Sequence, residues 1–76
     1  MNIKYMKLAY KEALKALKDD EVPVGAVIVK DGKVIAKAYN MKESKQCGIY
    51  HAEILAIMRA CKKLSNWRLE NCDIYI

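Results

Sequence analysis

From Ile3 to Leu17 the apolar residues Ile3, Met6, Tyr10, Ala13, Leu14 and Leu17 recur at three- and four-residue spacing, while Lys4, Lys7, Lys11, Lys15 and Lys18 step along the other side. This periodicity predicts an amphipathic helix that ends near Asp19, with the lysines on a solvated face. Val22 to Val29 is different: a short, β-branched run that reads as a buried strand, with Pro23 at its entrance, where a missing N–H does least harm. Asp31-Gly32 favours a two-residue hairpin turn, and a second strand is predicted from Val34 to Tyr39.

Asn40 to Tyr50 is polar, contains Gly48 and is expected to be a loop. His51 to Leu64 puts Ile54, Ile57, Met58, Cys61 and Leu64 on one helical face, predicting a second helix that Ser65 and Asn66 interrupt. Cys72 to Ile76 reads as a third strand. It stops on apolar residues without a turn, leaving an edge of the kind natural domains cover or blunt, and is expected to belong to a longer sheet.

The order helix, strand, strand, helix, strand predicts a layered α/β sandwich in which a hairpin begins the sheet and a helical crossover reaches the third strand. Such a crossover favours parallel pairing. It also places the loop before the second helix and the end of the third strand on one edge of the sheet, where ligand chemistry is expected.

Seventy-six residues allow one small domain, and 54% hydrophobic with 30% charged residues excludes a disordered or collagen-like chain. The net charge of +5 suits a phosphate-bearing partner, but the lysines of the first helix are better explained as a solvated face. Three cysteines, Cys47, Cys61 and Cys72, form neither an even set nor a Cys-x-x-Cys, so no disulfide framework or self-contained zinc motif is read from them. No segment reaches the roughly 20 apolar residues of a membrane span, and a cytoplasmic location is expected.

His51-Ala52-Glu53 opens the second helix with the single histidine of the chain. Side chains of a first helical turn lean toward the N-terminus and can converge beyond the helix end, where unpaired N–H groups and the helix dipole favour negative charge. A neutral imidazole there can ligate zinc while a carboxylate moves a proton, the combination that makes hydroxide at neutral pH. An isolated His-x-Glu is also what a surface histidine beside an acidic first turn looks like.

The surrounding residues add more. Glu21 to Val29 (E-V-P-V-G-A-V-I-V), Asp31-Gly32, Asn40, His51-Ala52-Glu53 and Asn66-Trp67-Arg68-Leu69 resemble the N-terminal half of bacterial tRNA-specific adenosine deaminases, zinc enzymes of the cytidine deaminase-like fold. The signature of such zinc deaminases is H-x-E followed by P-C-x-x-C. The resemblance implies an α-β-α sandwich, with residues 1–76 as a single partial domain that ends before the P-C-x-x-C zinc motif. It implies that His51 is a zinc ligand and that Glu53 is the general acid and base for attack at purine C6. It further implies that Asn40 hydrogen-bonds the nucleoside, and that Val24, Gly25 and Ala26 line the base pocket, with Gly25 sparing room for the ring.

The complete enzyme would carry one zinc ion per subunit, form a homodimer and act on the tRNA anticodon stem-loop, converting the wobble adenosine to inosine. Trp67 and Arg68 are expected to pack and turn rather than touch substrate.

The two cysteine ligands of the signature are missing from this chain, so by itself it is expected to be inactive or nearly so. Cys61 lies ten residues along the helix from His51, roughly 15 Å away at 1.5 Å per residue. Cys72 begins a strand whose site edge is roughly 13 Å further on. Cys47 is the one that could approach. Cys47-Gly48-Ile49-Tyr50 stands where such deaminases have an Asp-Pro-Thr-Ala-like stretch, which leaves the shape of the pocket open. The alternatives are a free-base or nucleotide deaminase of the same superfamily, a non-catalytic half-domain that self-associates through its open sheet edge, and an RNA-binding module using the lysine face.

Overall fold

A computed structural model describes residues 2–41, 51–65 and 69–76. Helix α1 runs Ile3–Lys18, strands β1 and β2 run Gly25–Lys30 and Lys33–Tyr39, helix α2 runs Ala52–Leu64, and strand β3 runs Cys72–Tyr75. The predicted order of elements is the observed one. Most of the expected loop before α2, with Cys47 and Tyr50 in it, lies outside the described residues, as do Asn66, Trp67 and Arg68.

Local chemistry explains most of the boundaries. Asn2 caps α1, its Oδ1 accepting the Lys4 N–H at 2.8 Å. The hairpin turns where Asp31 and Gly32 both take positive φ, 51° and 77°, the conformation that an Asp-Gly pair adopts readily. Ile28 faces Ala36 while Val29 faces Val34, so Ile35 is an extra residue and the hairpin carries a bulge there. Ser65, with φ 53°, ends α2 in a left-handed cap.

The sheet has the order β2-β1-β3. The expectation of parallel pairing for β3 is corrected here. The crossover through α2 does make β3 run in the direction of β2, but β3 passes beyond it to the far side of β1 and pairs with β1 antiparallel, Val27 opposite Tyr75 and Lys30 opposite Cys72. The start of β1, the end of β2 and the end of β3 still share one edge of the sheet.

Strand β1 is central and covered on both faces, which is why it reads as a continuous apolar run rather than an alternating one. Its alternate residues divide the core. Ala26 and Ile28 face α2 and pack with Ala36, Ala38, Leu55 and Ala56, whereas Val27 and Val29 face α1 and pack with Ala9, Tyr5 and Leu8. One helix on each side of a sheet is the layered α-β-α arrangement.

The buried faces of both helices differ from the predicted ones. In α1 the buried residues are Ala9, Glu12 and Ala16, while Ile3, Tyr10, Leu14 and Leu17 are exposed. In α2 they are Ala52, Leu55, Ala56 and Ala60, while Ile54, Ile57 and Met58 are exposed. The helices lie close to the sheet largely on alanine, joined by Leu55 of α2 and by Tyr5 and Leu8 of α1, while several of their bulkier apolar residues are exposed. Tyr5 pins the start of α1, donating its hydroxyl to the Gly32 carbonyl at 3.0 Å and placing its ring 5.4 Å from that of Tyr75.

Candidate active site

The edge where β1 begins and β2 ends is also where α2 starts. Asn40, the residue after β2, is 4% exposed and joins these elements. Its N–H donates to the Val24 carbonyl at 3.1 Å, and its Oδ1 accepts the Ala52 N–H at 2.7 Å. Val24 is half-buried against the α2-facing core, in which Ala26 is wholly buried.

His51 occupies the N-cap position of α2, with extended backbone (φ −74°, ψ 151°) and no capping hydrogen bond from its side chain. Its carbonyl accepts the Leu55 N–H at 3.0 Å, beginning the helical ladder. Glu53 is the acidic residue of the first turn, and both it and His51 are half-buried. In mid-helix, residues two apart diverge by about 200°. His51 stands outside the helical backbone, so that divergence does not apply, and both residues sit at the end where the helix dipole is positive.

Gly25 has a packing role that the sequence reading did not name. A Cβ there would fall 2.1 Å from the Ala9 carbonyl oxygen, 2.5 Å from the Ala13 nitrogen and 2.7 Å from the Glu12 Cβ. Its bare side faces α1, on the opposite face of β1 from Ala26 and α2. Glycine is required here because α1 crosses directly over it. Glu12, buried at this crossing, receives the Lys15 ammonium on Oε2 at 2.7 Å. That hydrogen bond, and then the Glu12 charge, hold the Lys15 ammonium above its ordinary value.

Two features carry no signal in the sequence. One is the backbone N–H of Ala52, which ties the catalytic candidates to Asn40. The other is an apolar groove of about 360 Å³ on the α1 side of the same edge, lined by Met6, Tyr10, Ala13, Val24, Gly25 and Ile76 among others. A backbone donor carries no residue signature, and the groove arises only when α1 and β3 are set side by side.

As a metal centre the arrangement is partial. Among the described residues no three of His, Cys, Asp and Glu come together as a group that could hold a metal ion. Cys61 lies in the last turns of α2 and Cys72 at the start of β3, both removed from His51 along their elements. The imidazole suits one position of a zinc site, and the described residues do not complete that site. Among the described residues no helix is long and apolar enough to cross a membrane.

Comparison with known proteins sets this geometry in a family. The chain is 53% identical over 72 residues to a tRNA-specific adenosine deaminase of Bacillus subtilis (strain 168), covering 95% of this chain and 45% of the relative. It is 46% identical over 72 residues to a tRNA-specific adenosine deaminase of Aquifex aeolicus (strain VF5), covering 95% of this chain and 48% of the relative. Among solved structures, a study of A-to-I editing by tRNA:A34 deaminases at the wobble position of transfer RNA provides one that superposes with a TM-score of 0.94 at 43% identity. That match covers 97% of this chain and 54% of the other. A guanine deaminase from Bacillus subtilis superposes with a TM-score of 0.92 at 38% identity, covering 99% and 49%. The chain thus spans about half the length of the proteins it resembles. The sequence model of MafB19-like deaminases matches residues 2–76, from the cap of α1 through His51 and Glu53 to the last residue, and the chain belongs to that family.

Proposed function

We propose that this chain carries the proton-transfer half of a hydrolytic nucleobase deaminase site, and that the complete protein converts adenosine to inosine in the anticodon loop of tRNA. The observation that carries this reading is the start of α2, where His51 and Glu53 stand together at the positive end of a helix beside the buried Asn40.

His51 would be one protein ligand of a zinc ion, whose chemistry when bound is to make hydroxide available near neutral pH. Glu53 would take the proton released from water and deliver it to the purine ring nitrogen, and would then carry the proton of the new C6 hydroxyl to the amino group, which leaves as ammonia. Asn40, with its oxygen engaged by α2, would turn its amide hydrogens toward the base. Val24 and Ala26 would form the wall behind it. The homodimer implied by the resemblance and the cytoplasmic setting belong to the same proposal.

The test joins residues 1–76 to a continuation carrying the Pro-Cys-x-x-Cys segment and offers the product an anticodon stem-loop containing adenosine at the wobble position. Inosine in the stem-loop, with free adenosine and guanine untouched, is the expected result. A second reading is favoured by the guanine deaminase likeness, at a TM-score of 0.92. Under that reading the joined protein deaminates a free purine base and leaves the stem-loop unchanged, an outcome that would replace the tRNA assignment.

A further inference from the structure

We propose that the lysines of α1, joined by Lys37 of β2, form a phosphate-binding track that leads an RNA backbone to the edge of the sheet where β2 ends and α2 starts. The track rests on the placement of charge alone. That its polyanion is the tRNA of the reaction rests on the function proposed above.

A lysine stripe on a helix is ordinarily the solvated side opposite the core. In α1 that side is otherwise occupied. Tyr5, Leu8, Ala9, Glu12 and Ala16 turn to the sheet, and at about 100° per residue the direction opposite to them belongs to Ile3 and Leu14, which are 69% and 45% exposed. Met6, Tyr10 and Ala13 look toward β3, in the groove that Ile76 also lines. Lys4, Lys7, Lys11, Lys15 and Lys18 lie roughly 130° round the helix from that groove, on the flank over β2. Two observations place this flank. Tyr39, the last residue of β2, is within electrostatic reach of Lys15. Lys37 stands opposite Val27, which packs against α1, so its side chain is on the same face of the sheet. All six lysines are exposed.

Like charges on one surface repel one another and are usually interspersed with acids. Glu12 is the single acidic residue of α1 and β2, and it is buried and already holds Lys15 at 2.7 Å. Asp31 stands in the hairpin turn and Asp19 and Asp20 follow the end of α1, so these acids bracket the stripe rather than neutralise it. From Lys4 to Lys18 the stripe runs roughly 21 Å, with neighbouring lysines about 5–6 Å apart. Its direction is fixed at both ends. Tyr5 bonds the Gly32 carbonyl in the hairpin turn, while Ala9 and Ala13 lie over Gly25, where β1 begins. Phosphates laid along the lysines therefore arrive beside Tyr39, the neighbour of Asn40. Ammonium groups on flexible stems meet phosphates as point charges and position a nucleic acid without reading its sequence. A helix resting on a membrane would have lysines on both borders of its apolar residues, whereas α1 has them on one.

The experiment uses the 76-residue chain and a fluorescein-labelled anticodon stem-loop RNA, with anisotropy read from about 50 to 200 mM salt. The track variant combines Lys7→Gln, Lys11→Gln and Lys37→Gln; Lys15 stays because it serves the buried Glu12. The control combines Lys33→Gln, Lys62→Gln and Lys63→Gln, exposed positions off the track with the same change in net charge. The track variant should bind about tenfold more weakly and lose about 2 from the slope of log affinity against log salt, equally for a scrambled stem-loop. The control should stay within about twofold of wild type. Equal losses in both variants would reduce the track to net charge and overturn it, as would unchanged binding by the track variant or no binding by wild type. Vesicles of phosphatidylserine and phosphatidylcholine are the second probe. Tighter binding to these than to RNA, lost in the track variant, would assign the surface to a membrane and overturn the RNA track. Should the triple variant unfold, Lys11→Gln alone decides, with about 1 lost from the slope expected. Failure of the deaminase reading would appear instead as a joined protein that binds the stem-loop through the track and forms no inosine.

Discussion

Gly25 and Ala9 meet so closely that no side chain fits between them: a Cβ on Gly25 would lie 2.1 Å from the Ala9 carbonyl oxygen. Two of the three nearest atoms are backbone of α1, so no rotamer change relieves the contact. Overpacking typically costs about 1–3 kcal/mol and occasionally more. Gly25→Ala must move a helix off the sheet and is expected to cost roughly 3 kcal/mol or more, a large fraction of what a domain of this size has. Urea denaturation followed by circular dichroism would measure it. A midpoint unchanged from wild type would show that α1 does not cross β1 as described.

The two residues at the start of α2 have separable roles. In the joined protein, Glu53→Gln keeps the shape of the first turn and removes the proton carrier, so kcat should fall by about a hundred- to ten-thousand-fold while bound zinc is retained. His51→Ala should lose both turnover and zinc. Zinc content by atomic emission alongside kcat separates the two. Full zinc stoichiometry in the His51 variant would be incompatible with the ligand assignment.

Much of this was legible in the sequence, for reasons that differ between elements. The hairpin was readable because Asp31-Gly32 carries its turn chemistry in two adjacent residues. The order of elements was readable because a β-branched run and two helical periods are local properties. The neighbour of β3 was not, since a crossover fixes the direction of a strand but not how many strands it passes over, and here it passes over β1. The packing role of Gly25 was missed for a similar cause. A strand glycine marks close approach by something, and the sequence did not say that the something is α1. Asn40 was singled out as a candidate, but its bond to Ala52 involves a backbone donor twelve residues away, invisible to any residue pattern.

The Lys15–Glu12 pair gives an alkaline dependence of stability. The Glu12 carboxylate raises the Lys15 ammonium in the folded chain above its ordinary value of 10.5. A group whose folded value is raised contributes fully below the unfolded value, and the contribution disappears as pH rises through the folded one. The contribution is therefore constant through neutral pH and is lost only above about 10.5. It is modest, because the Lys15 side chain is 54% exposed and solvent screens the pair. Denaturation midpoints of wild type and Lys15→Met, compared across pH 9–12, should draw together at the alkaline end (roughly the titration range of lysine). A difference that widens with pH would contradict the pairing.

The burial of alanine rather than of bulkier residues on the helices makes the last prediction, and it runs against what periodicity alone would suggest. Ile57 is 42% exposed, and its neighbour Ala56 is wholly buried against the sheet. A hydrophobic pattern weighted by side-chain size ranks Ile57 as core and Ala56 as filler. Contact between helix and sheet reverses that order, because Ala52, Ala56 and Ala60 are wholly buried and a larger side chain at any of these positions would have to displace its neighbours. Ala56→Leu should therefore destabilise the chain by about 1–3 kcal/mol. Ile57→Ser, the harsher change by hydropathy, should cost less than that, about 1 kcal/mol, since much of the apolar surface it removes is already in water. Both values come from the same urea titration. If Ile57→Ser proved the more damaging of the two, the face of α2 assigned to the core would have to be rotated toward Ile54, Ile57 and Met58, the face the sequence pattern predicts.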